Sequence, residues 1–185
     1  MQVTQHFHRE IEGLRRKFLE FGALVEGRVH EAVDIIDSRD TTRCSQLIAS
    51  DREINVMEVE IEEECLKILA LYQPMASDLR FLVAVIKINN DLERIADIAA
   101  SIANRVLIIA RYPEIEAPAI HLAGMGAKVE VMLRLGLNAF VQVDSDLAHK
   151  VCMLDDEIDE MRNKAYGKIK REIRANPDQL APLMN

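Results

Sequence analysis

Between Phe81 and Val106, apolar residues recur at alternating spacings of four and three without a break. This spacing places all of them on one side of an α-helix, as in helices that pack into bundles. It predicts a helix from about Ser77 to Arg111, which ends before Pro113 and is on the order of 50 Å long. The members of this stripe are Phe81, Val85, Ile88, Leu92, Ile95, Ala99, Ile102 and Val106.

Two earlier segments carry the same kind of pattern. One predicts a helix over residues 4–37, and the other predicts a helix over residues 40–72, where leucine or isoleucine recurs every seven residues. Pro74 ends the second helix, and Ser77 is a candidate N-cap of the third. Because the links are short, neighbouring helices must run antiparallel, so residues 1–112 are predicted to form a three-helix bundle.

The sequence then repeats itself after a shift of 104 residues, without a gap. The matching pairs are FGALVE at 21–26 with MGAKVE at 125–130, DREINVM at 51–57 with DDEIDEM at 155–161, and Asp40 with Asp144. An internal repeat of this length indicates two copies of one structural element, so each copy is predicted to be a helical bundle.

The second repeat, assigned to residues 118–185, is predicted to contain helices over 118–142 and 144–175, and NPDQLAPLMN begins another. Its third helix is predicted to be missing, because the counterpart of Glu93 would lie beyond Asn185. The expected fold is therefore all-α, with tandem three-helix bundles of which the second is incomplete. A two-helix remnant leaves an apolar face uncovered, which predicts a partner helix, an oligomer or a shortened chain.

Composition and charge narrow the possible functions. The chain of 185 residues has seven glycines, no tryptophan and a net charge of −8. Because binding to phosphate backbones requires a basic face, this charge argues against nucleic acid as a partner. The longest purely apolar run, 81–86, is far shorter than the ~20 residues that span a bilayer. No signal peptide opens the chain, so we expect a cytoplasmic protein without membrane insertion.

Motifs for catalysis are not found in the sequence. There is no nucleophile elbow and no glycine-rich loop that would hold a phosphate, so we expect that the protein is not an enzyme. Cys44, Cys65 and Cys152 lie far apart within helical patterns. They are predicted to be small core residues of a protein in a reducing compartment.

Glu93 and Asp97 lie one helical turn apart, and like charges at this spacing cost an isolated helix roughly a few tenths of a kcal/mol. Two carboxylates on one helix face can chelate a divalent cation. The alternative is a solvated acidic face, or ordinary ion pairs with Arg94 and Arg80. Both interpretations stay open at this point.

The second helix supplies candidate partners for these carboxylates. Asp51 and Glu58 interrupt its apolar stripe, and Asp51 and Asn55 repeat the one-turn spacing. Asp155 and Asp159 show that spacing again in the second repeat. Carboxylates from facing helices build the di-metal sites of helical bundles, so these residues are candidate metal ligands together with Glu93 and Asp97.

The run QPMASDLRFLVAVIKINNDLERIADIAASIA at 73–103 closely resembles the PhoU family of phosphate-uptake regulators. The hallmarks of that family are Q-P-x-A-x-D-L-R and a following helix with L-E-R-I-x-D. GALVEGRVHEAVDII and ASDREINVMEVEIEEECLKILA fit the same family, so the resemblance covers nearly the whole chain. The sequence departs from the family pattern at Asn55, which replaces an acid, and in lacking the second L-E-R-I-x-D helix.

The resemblance implies a cytoplasmic, non-enzymatic negative regulator of the phosphate-starvation response, held at the inner face of the membrane through its partners. Such proteins link the ATPase subunit of a phosphate ABC transporter to a sensor histidine kinase, and homodimers are common. Some members carry iron or zinc clusters on E(D)-x-x-x-D motifs, to which Glu93 and Asp97 correspond here. A metal-storage or carboxylate-cluster protein, and a structural domain bound to a transporter, are the alternatives.

Overall fold

The computed structural model describes residues 2–112 and 122–184, and these residues fold into helices connected by short turns. No strand occurs among them, so the prediction of an all-α fold is confirmed. Within these residues, no helix is both long enough and apolar enough to cross a membrane. The elements are α1 (Gln2–Ser38), α2 (Thr41–Ala49), α3 (Asp51–Tyr72), α4 (Ala76–Ile109), α5 (Leu122–Gln142), α6 (Ser145–Ala175), a 3-10 turn (Pro177–Gln179) and α7 (Leu180–Leu183).

Most helices lie where the sequence predicts them, but the helix predicted over 40–72 breaks at Ser50 into α2 and α3, so that single helix is wrong. The carbonyl of Ser50 accepts a hydrogen bond from the N–H of Glu53 at 3.1 Å, which is the tighter pattern of a 3-10 turn. Serine and aspartate side chains compete with the backbone for hydrogen bonds, which makes Ser50–Asp51 a weak point in a helix. Of the helix predicted over 118–142, residues 118–121 lie outside the described residues.

The turns after α1, α3 and α5 each contain a residue with a left-handed backbone. Arg39 has φ 51°, Gln73 has φ 47° and Val143 has φ 53°. The N–H groups of the first two donate back to the carbonyls of Ile35 (2.9 Å) and Leu69 (3.2 Å), which closes the last helical turn. Glycine adopts this conformation without steric cost, and none of these residues is glycine.

An aspartate follows the left-handed residue in the first and the last of these turns. Asp40 Oδ1 accepts hydrogen bonds from the N–H groups of Thr42 (2.9 Å) and Arg43 (3.1 Å), which begins α2. Asp144 Oδ1 accepts one from the N–H of Leu147 at 2.9 Å, which begins α6. The two aspartates are related by the shift of 104 residues, so the repeated sequence makes a repeated cap.

The α3–α4 turn differs from its prediction in one detail. Pro74 follows the left-handed Gln73 and ends α3, as predicted. The chain turns again at Ala76, which has φ 50°, and the first tight hydrogen bond runs from the N–H of Asp78 to the carbonyl of Met75 (3.2 Å). Ser77 therefore lies inside α4, and its predicted role as the N-cap is wrong.

The structure divides into two units, and the first comprises residues 1–27 and 49–98, which include the start of α1, all of α3 and most of α4. Lys17 Nζ on α1 lies 2.7 Å from Glu60 Oε2 on α3. The Arg15 guanidinium lies over the ring of Phe81 on α4, 4.4 Å from its centroid. The three helices enclose a core that contains Leu14, Phe18, Phe21, Ile54, Ile61, Ile68, Leu82, Val85 and Leu92.

The second unit comprises residues 28–48 and 99–185, and among its described residues are the end of α1, all of α2, the end of α4, α5 and α6. Gly126 on α5 lies against α1, since a Cβ atom at this position would be 2.5 Å from Val33 Cγ2. This glycine therefore allows a close helix contact that alanine would obstruct. One core cluster of this unit contains Ala32, Ile35, Cys44, Leu47, Ala99, Ala103 and Val106.

The buried stripe of α4 is rotated relative to the predicted one. Ile88, Ile95 and Ile102 are only half-buried, although the 4-3 spacing predicts them in the stripe. The buried residues of α4 are Leu82, Val85, Asn89, Leu92, Ala96, Ala99, Ala103 and Val106. The buried stripe keeps the predicted 3.5-residue repeat but contains the residues at 82, 89, 96 and 103 in place of those at 81, 88, 95 and 102. Two of these four are alanines, and small side chains allow close packing on that side of the helix.

The cysteines follow their prediction in two of three cases. Cys44 and Cys65 are buried, and burial raises the pKa of the Cys65 thiol to about 12. Cys152 is exposed, so its prediction as a core residue is wrong. The reason lies in α6 itself, which has no buried residue.

Candidate functional site

The candidate site lies between α3 and α4 of the first unit. Asn89, Glu93 and Asp97 follow one another at intervals of four along α4, so their side chains share one side of that helix. Asp51 and Glu58 lie seven residues apart on α3. The two helices meet here through a hydrogen bond between Asn89 and the backbone of Glu58, and the charges of Glu58 and Asp51 both raise the pKa of Glu93.

Asn89 joins the two helices beside the acidic residues. Its side chain is 1% exposed, and its Nδ2 donates a hydrogen bond to the carbonyl oxygen of Glu58 at 2.8 Å. Its Oδ1 is buried without a hydrogen-bond partner among the described residues. Asn89 was not predicted as a site residue, because the predicted apolar stripe of α4 contains Ile88 and leaves Asn89 outside. The sequence signal that could have indicated it is an amide directly beside that apolar stripe.

Glu93 is a half-buried carboxylate in acidic surroundings. Burial raises its pKa, and the charges of Asp97, Glu58 and Asp51 raise it further, in that order. The nearby Arg94 opposes the shift, but its Nη1 lies 3.6 Å from Asp91 Oδ1, and this pair is exposed. The structure thus brings Glu93 near three other carboxylates without a close cationic partner of its own in the described contacts.

The α3 side of the site has two kinds of residue. Glu58 is half-buried, and its pKa is raised by burial and then by the charge of Glu62. Asn55 is exposed and its Nδ2 lies 3.4 Å from Asp51 Oδ2, so it is placed to donate a hydrogen bond to that carboxylate. Asn55 thereby restrains the Asp51 side chain, whereas an acidic residue at position 55 would repel the Asp51 carboxylate.

Asp155 and Asp159, the candidates from the second repeat, lie on α6 in the second unit. Asp155 is exposed. Asp159 Oδ1 lies 3.0 Å from Arg162 Nη1, three residues along the same helix. Asp159 therefore forms an ordinary ion pair at the helix surface, unlike Glu93.

The oxygen atoms between α3 and α4 are of the type that binds divalent cations, but they do not form a complete set of ligands around one position. Carboxylate and amide oxygens are ligands for hard or borderline cations, and Asn89 Oδ1 lies one helical turn from Glu93. In the part of the chain that the structure describes, however, no three histidine, cysteine, aspartate or glutamate side chains are placed to hold one ion. Metal binding at the predicted residues therefore stays a prediction.

Comparison with known families agrees with the repeat and the helical fold. The PhoU domain matches residues 18–106 and again residues 122–184. The chain belongs to the PhoU family. The two matches begin with the same offset of 104 residues that relates the sequence repeats, while the predicted repeat boundaries, 1–112 and 118–185, stay a prediction.

Similar proteins include a phosphate-specific transport system accessory protein PhoU homolog from Pseudomonas aeruginosa, 33% identical over 99% of this chain and 76% of the relative. The accessory protein PhoU of Escherichia coli is 31% identical over 85% of this chain and 65% of its own length. The crystal structure of PhoU from P. aeruginosa superposes with a TM-score of 0.92 and 33% identity, and covers 96% of this chain and 85% of that one. A phosphate transport system regulatory protein PhoU from Streptococcus pneumoniae superposes with a TM-score of 0.82 and 30% identity, over 96% and 82% of the two chains.

Proposed function

We propose that this protein is a cytoplasmic, non-enzymatic adaptor that restrains the phosphate-starvation response. In this role it contacts the ATPase subunit of a phosphate ABC transporter and a sensor histidine kinase, and it acts as a homodimer at the inner face of the membrane. The observation that carries the proposal is the double PhoU match, one in each sequence repeat. Relatives that align over nearly all of this chain are named as accessory or regulatory proteins of phosphate transport, which supports the proposal.

An adaptor needs a surface for protein contact, and the first unit has an exposed apolar one at the α3–α4 turn. Leu71 near the end of α3 and Met75 in the turn are 64% and 79% exposed, and Leu79 and Val83, one turn apart in the first half of α4, are exposed too. We call these four residues the turn patch. Clustered exposed apolar side chains mark interaction sites, whereas single ones are normal on a protein surface.

The adaptor role is tested by affinity capture of the tagged chain from cells grown with and without phosphate. We expect the transporter ATPase subunit or the sensor kinase to be recovered, and a Met75→Glu/Leu79→Glu variant to recover much less of it. Val56→Glu/Val59→Glu is a matched control, because these two residues are exposed on α3 outside the turn patch. Recovery of neither partner by the unaltered chain contradicts the adaptor role.

A second measurement separates the adaptor from a structural domain bound to a transporter. We expect deletion of the gene to raise transcription from a phosphate-responsive promoter in phosphate-rich medium, and re-expression to restore repression. Capture of the transporter together with unchanged transcription would favour the structural alternative.

We further propose that Glu93 and Asp97, one turn apart on α4, bind a divalent cation such as iron or zinc as a pair. The crowding of carboxylates around Glu93 supports this, since a cation would relieve their mutual repulsion. We expect elemental analysis to find metal in the purified protein and to find none in Glu93→Ala/Asp97→Ala. Equal metal content in the two proteins contradicts the assignment.

The pair Asp155→Ala/Asp159→Ala is the matched control for this metal measurement. These residues repeat the spacing on α6, but Asp159 already has a cationic partner in Arg162. We expect this variant to keep the metal of the unaltered protein. Metal storage stays the alternative function.

A further inference from the structure

The helices α3 and α4 of the first unit meet along a line that is open to solvent. Only residues 73–75 join them, so the two helices run antiparallel. The hydrogen bond from Asn89 Nδ2 to the carbonyl of Glu58 determines which residues lie opposite each other. Residues after Glu58 on α3 lie opposite residues before Asn89 on α4. The side chains along this line, which we call the α3–α4 seam, include Glu58, Glu62, Leu66, Leu79, Glu93 and Asp97.

The end of the seam near the α3–α4 turn is apolar. Leu66 follows Glu62 at an interval of four, so the two side chains share one side of α3. Leu79 lies about four helical turns before Glu93, and therefore on the same side of α4. Leu66, Leu79 and Val83, one turn further along α4, are all exposed. Several exposed aliphatic side chains at one place indicate an interaction surface, whereas single ones do not.

The other end of the seam is acidic. Glu58 and Glu62 lie one turn apart on α3, and Glu93 and Asp97 lie one turn apart on α4. Burial and then the charges of Asp97 and Glu58 raise the pKa of Glu93, and burial and the charge of Glu62 raise that of Glu58. The carboxylates at this end therefore repel one another.

The nearby cations do not neutralise this end of the seam. Arg94 opposes the pKa shift of Glu93, but its Nη1 lies 3.6 Å from Asp91 Oδ1. Lys87 lies seven residues before Arg94, so both are on a side of α4 different from that of Glu93. The seam thus joins an apolar end to an end with excess negative charge.

We propose that the α3–α4 seam binds an amphipathic helix of a partner protein, with aliphatic residues toward one end of its contact face and lysine or arginine toward the other. The aliphatic residues cover Leu66 and Leu79, and the basic residues lie against Glu62 and Asp97. This inference rests on the proposed adaptor function, because it states the chemistry of the segment that the adaptor recognises. It uses the helix-in-groove mode, in which apolar contacts give affinity and charges fix the orientation.

The two ends of the seam together argue against other occupants. An anionic lipid surface or an acidic helix would be repelled by the carboxylates. An entirely apolar helix would cover these carboxylates without supplying a cation, which is costly for a charged group. A basic segment without aliphatic residues would leave Leu66 and Leu79 exposed.

The test is fluorescence anisotropy with the purified full chain, in EDTA so that no metal ion neutralises Glu93 and Asp97. The probe is a labelled helical peptide of about 18 residues, or five turns, with leucine on one face of its first half and lysine on that face of its second half. A second peptide has glutamate in place of each lysine. We expect the lysine peptide to bind at least roughly tenfold more tightly than the glutamate peptide, and its affinity to fall with added salt.

The double variant Glu62→Lys/Asp97→Lys reverses two exposed charges of the seam. We expect it to prefer the glutamate peptide, a gain of binding that misfolding cannot produce. The control Glu12→Lys/Glu20→Lys changes the net charge by the same amount at exposed positions on α1, and should keep the preference for lysine.

Equal affinity for the two peptides overturns the proposal, and so does a preference that the seam variant does not reverse. Tighter binding to phosphatidylglycerol vesicles than to the lysine peptide would assign the surface to lipid instead. A seam variant that alters only the oligomeric state would assign it to a second copy. Partner capture from cells is measured separately, so failed capture with a reversed peptide preference removes the adaptor role alone. Successful capture without any peptide preference removes this inference alone.

Discussion

The helices α3 and α6 occupy equivalent positions in the two sequence repeats, yet α3 buries four residues and α6 buries none. Ile54 is 1% exposed, whereas its counterpart Ile158 is only half-buried. In the first unit, α3 has α1 and α4 as neighbours, and it contacts both. The difference teaches that a periodic apolar pattern defines which face of a helix is buried, while the burial itself depends on how many neighbours that face has.

The largest effect that distinguishes the two helices should come from truncating equivalent isoleucines. We expect Ile54→Ala to lower the free energy of unfolding by about 3 kcal/mol, because it leaves a cavity in a packed core. Ile158→Ala should cost about 1 kcal/mol, because less of that side chain leaves water on folding. Urea unfolding followed by circular dichroism measures both, and equal losses would contradict the contrast between the helices.

A second comparison concerns two glycines of α5. Gly126→Ala should lower the free energy of unfolding by about 1–3 kcal/mol, because its Cβ would meet Val33 at 2.5 Å. Gly136→Ala should instead raise it by about 0.5–1 kcal/mol, because the added Cβ meets no described atom within 4 Å beyond its chain neighbours and its own helix backbone, and alanine favours the helix. Thermal unfolding gives the sign of each change, and a stabilised Gly126→Ala protein would show that α5 does not need the close approach to Val33.

The equivalent turns of the two repeats offer a smaller effect. Val143→Gly should raise the free energy of unfolding by about 0.5 kcal/mol or more, because a β-branched residue is strained at φ 53°. Arg39→Gly, at the same position of the first repeat, should give a smaller increase because arginine is not β-branched. Chemical denaturation of the two variants tests this order, and a loss of stability in Val143→Gly would argue against strain at that turn.

The smallest expected effect is electrostatic and contrasts Glu93 with Glu160. The pKa of Glu93 is raised in the folded protein, so its ionised form lowers stability as the pH rises through that pKa. Glu93→Gln should therefore raise the free energy of unfolding at pH 7 by roughly a few tenths of a kcal/mol. The gain should vanish below the ordinary pKa of glutamate, where the unaltered side chain is protonated in both the folded and unfolded states.

Glu160→Gln should change stability in the opposite direction. A hydrogen bond and the charge of Lys164 lower the pKa of Glu160, so its stabilising contribution is present above the ordinary glutamate pKa and is lost as the pH falls. Unfolding curves between pH 3 and pH 8 compare the two variants. A pH-independent effect of either substitution would show that its charge is not the cause.

The sequence predicts most of the helices well because their periodicity is a local property. The predicted bounds of α1, α4 and α6 lie within two residues of the observed ones. Asn89, by contrast, is buried because α3 packs on that side of α4, and the spacing of apolar residues cannot reveal this. Cys152 follows a helical pattern like that of Cys65, but it is exposed because α6 has no buried residue.

The candidate site shows the same limit. The sequence indicates Glu93 and Asp97 as a pair on one helix face, and facing helices as the source of further carboxylates. In the structure α3 meets α4 at the hydrogen bond from Asn89 to the carbonyl of Glu58, and the charges of Glu58 and Asp51 raise the pKa of Glu93. It also shows a difference between Asp159 and Glu93. Asp159 lies at the surface with Arg162 as its cationic partner, whereas other carboxylates surround Glu93. Spacing alone treats these two motifs as equivalent, because it carries no information on burial or on nearby cations.

The single amide between α3 and α4 also has a consequence for alternative packings. If α4 slid by one turn along α3, the amide of Asn89 and the carbonyl of Glu58 would both be buried without their bond, which is costly in a dry interior. Asn89 thus fixes the register of α4 against α3, as a lone asparagine does in the core of a coiled coil. We expect Asn89→Leu to let α3 and α4 pack more tightly. The two helices would then lose the fixed alignment that places Asp51 and Glu58 opposite Glu93 and Asp97.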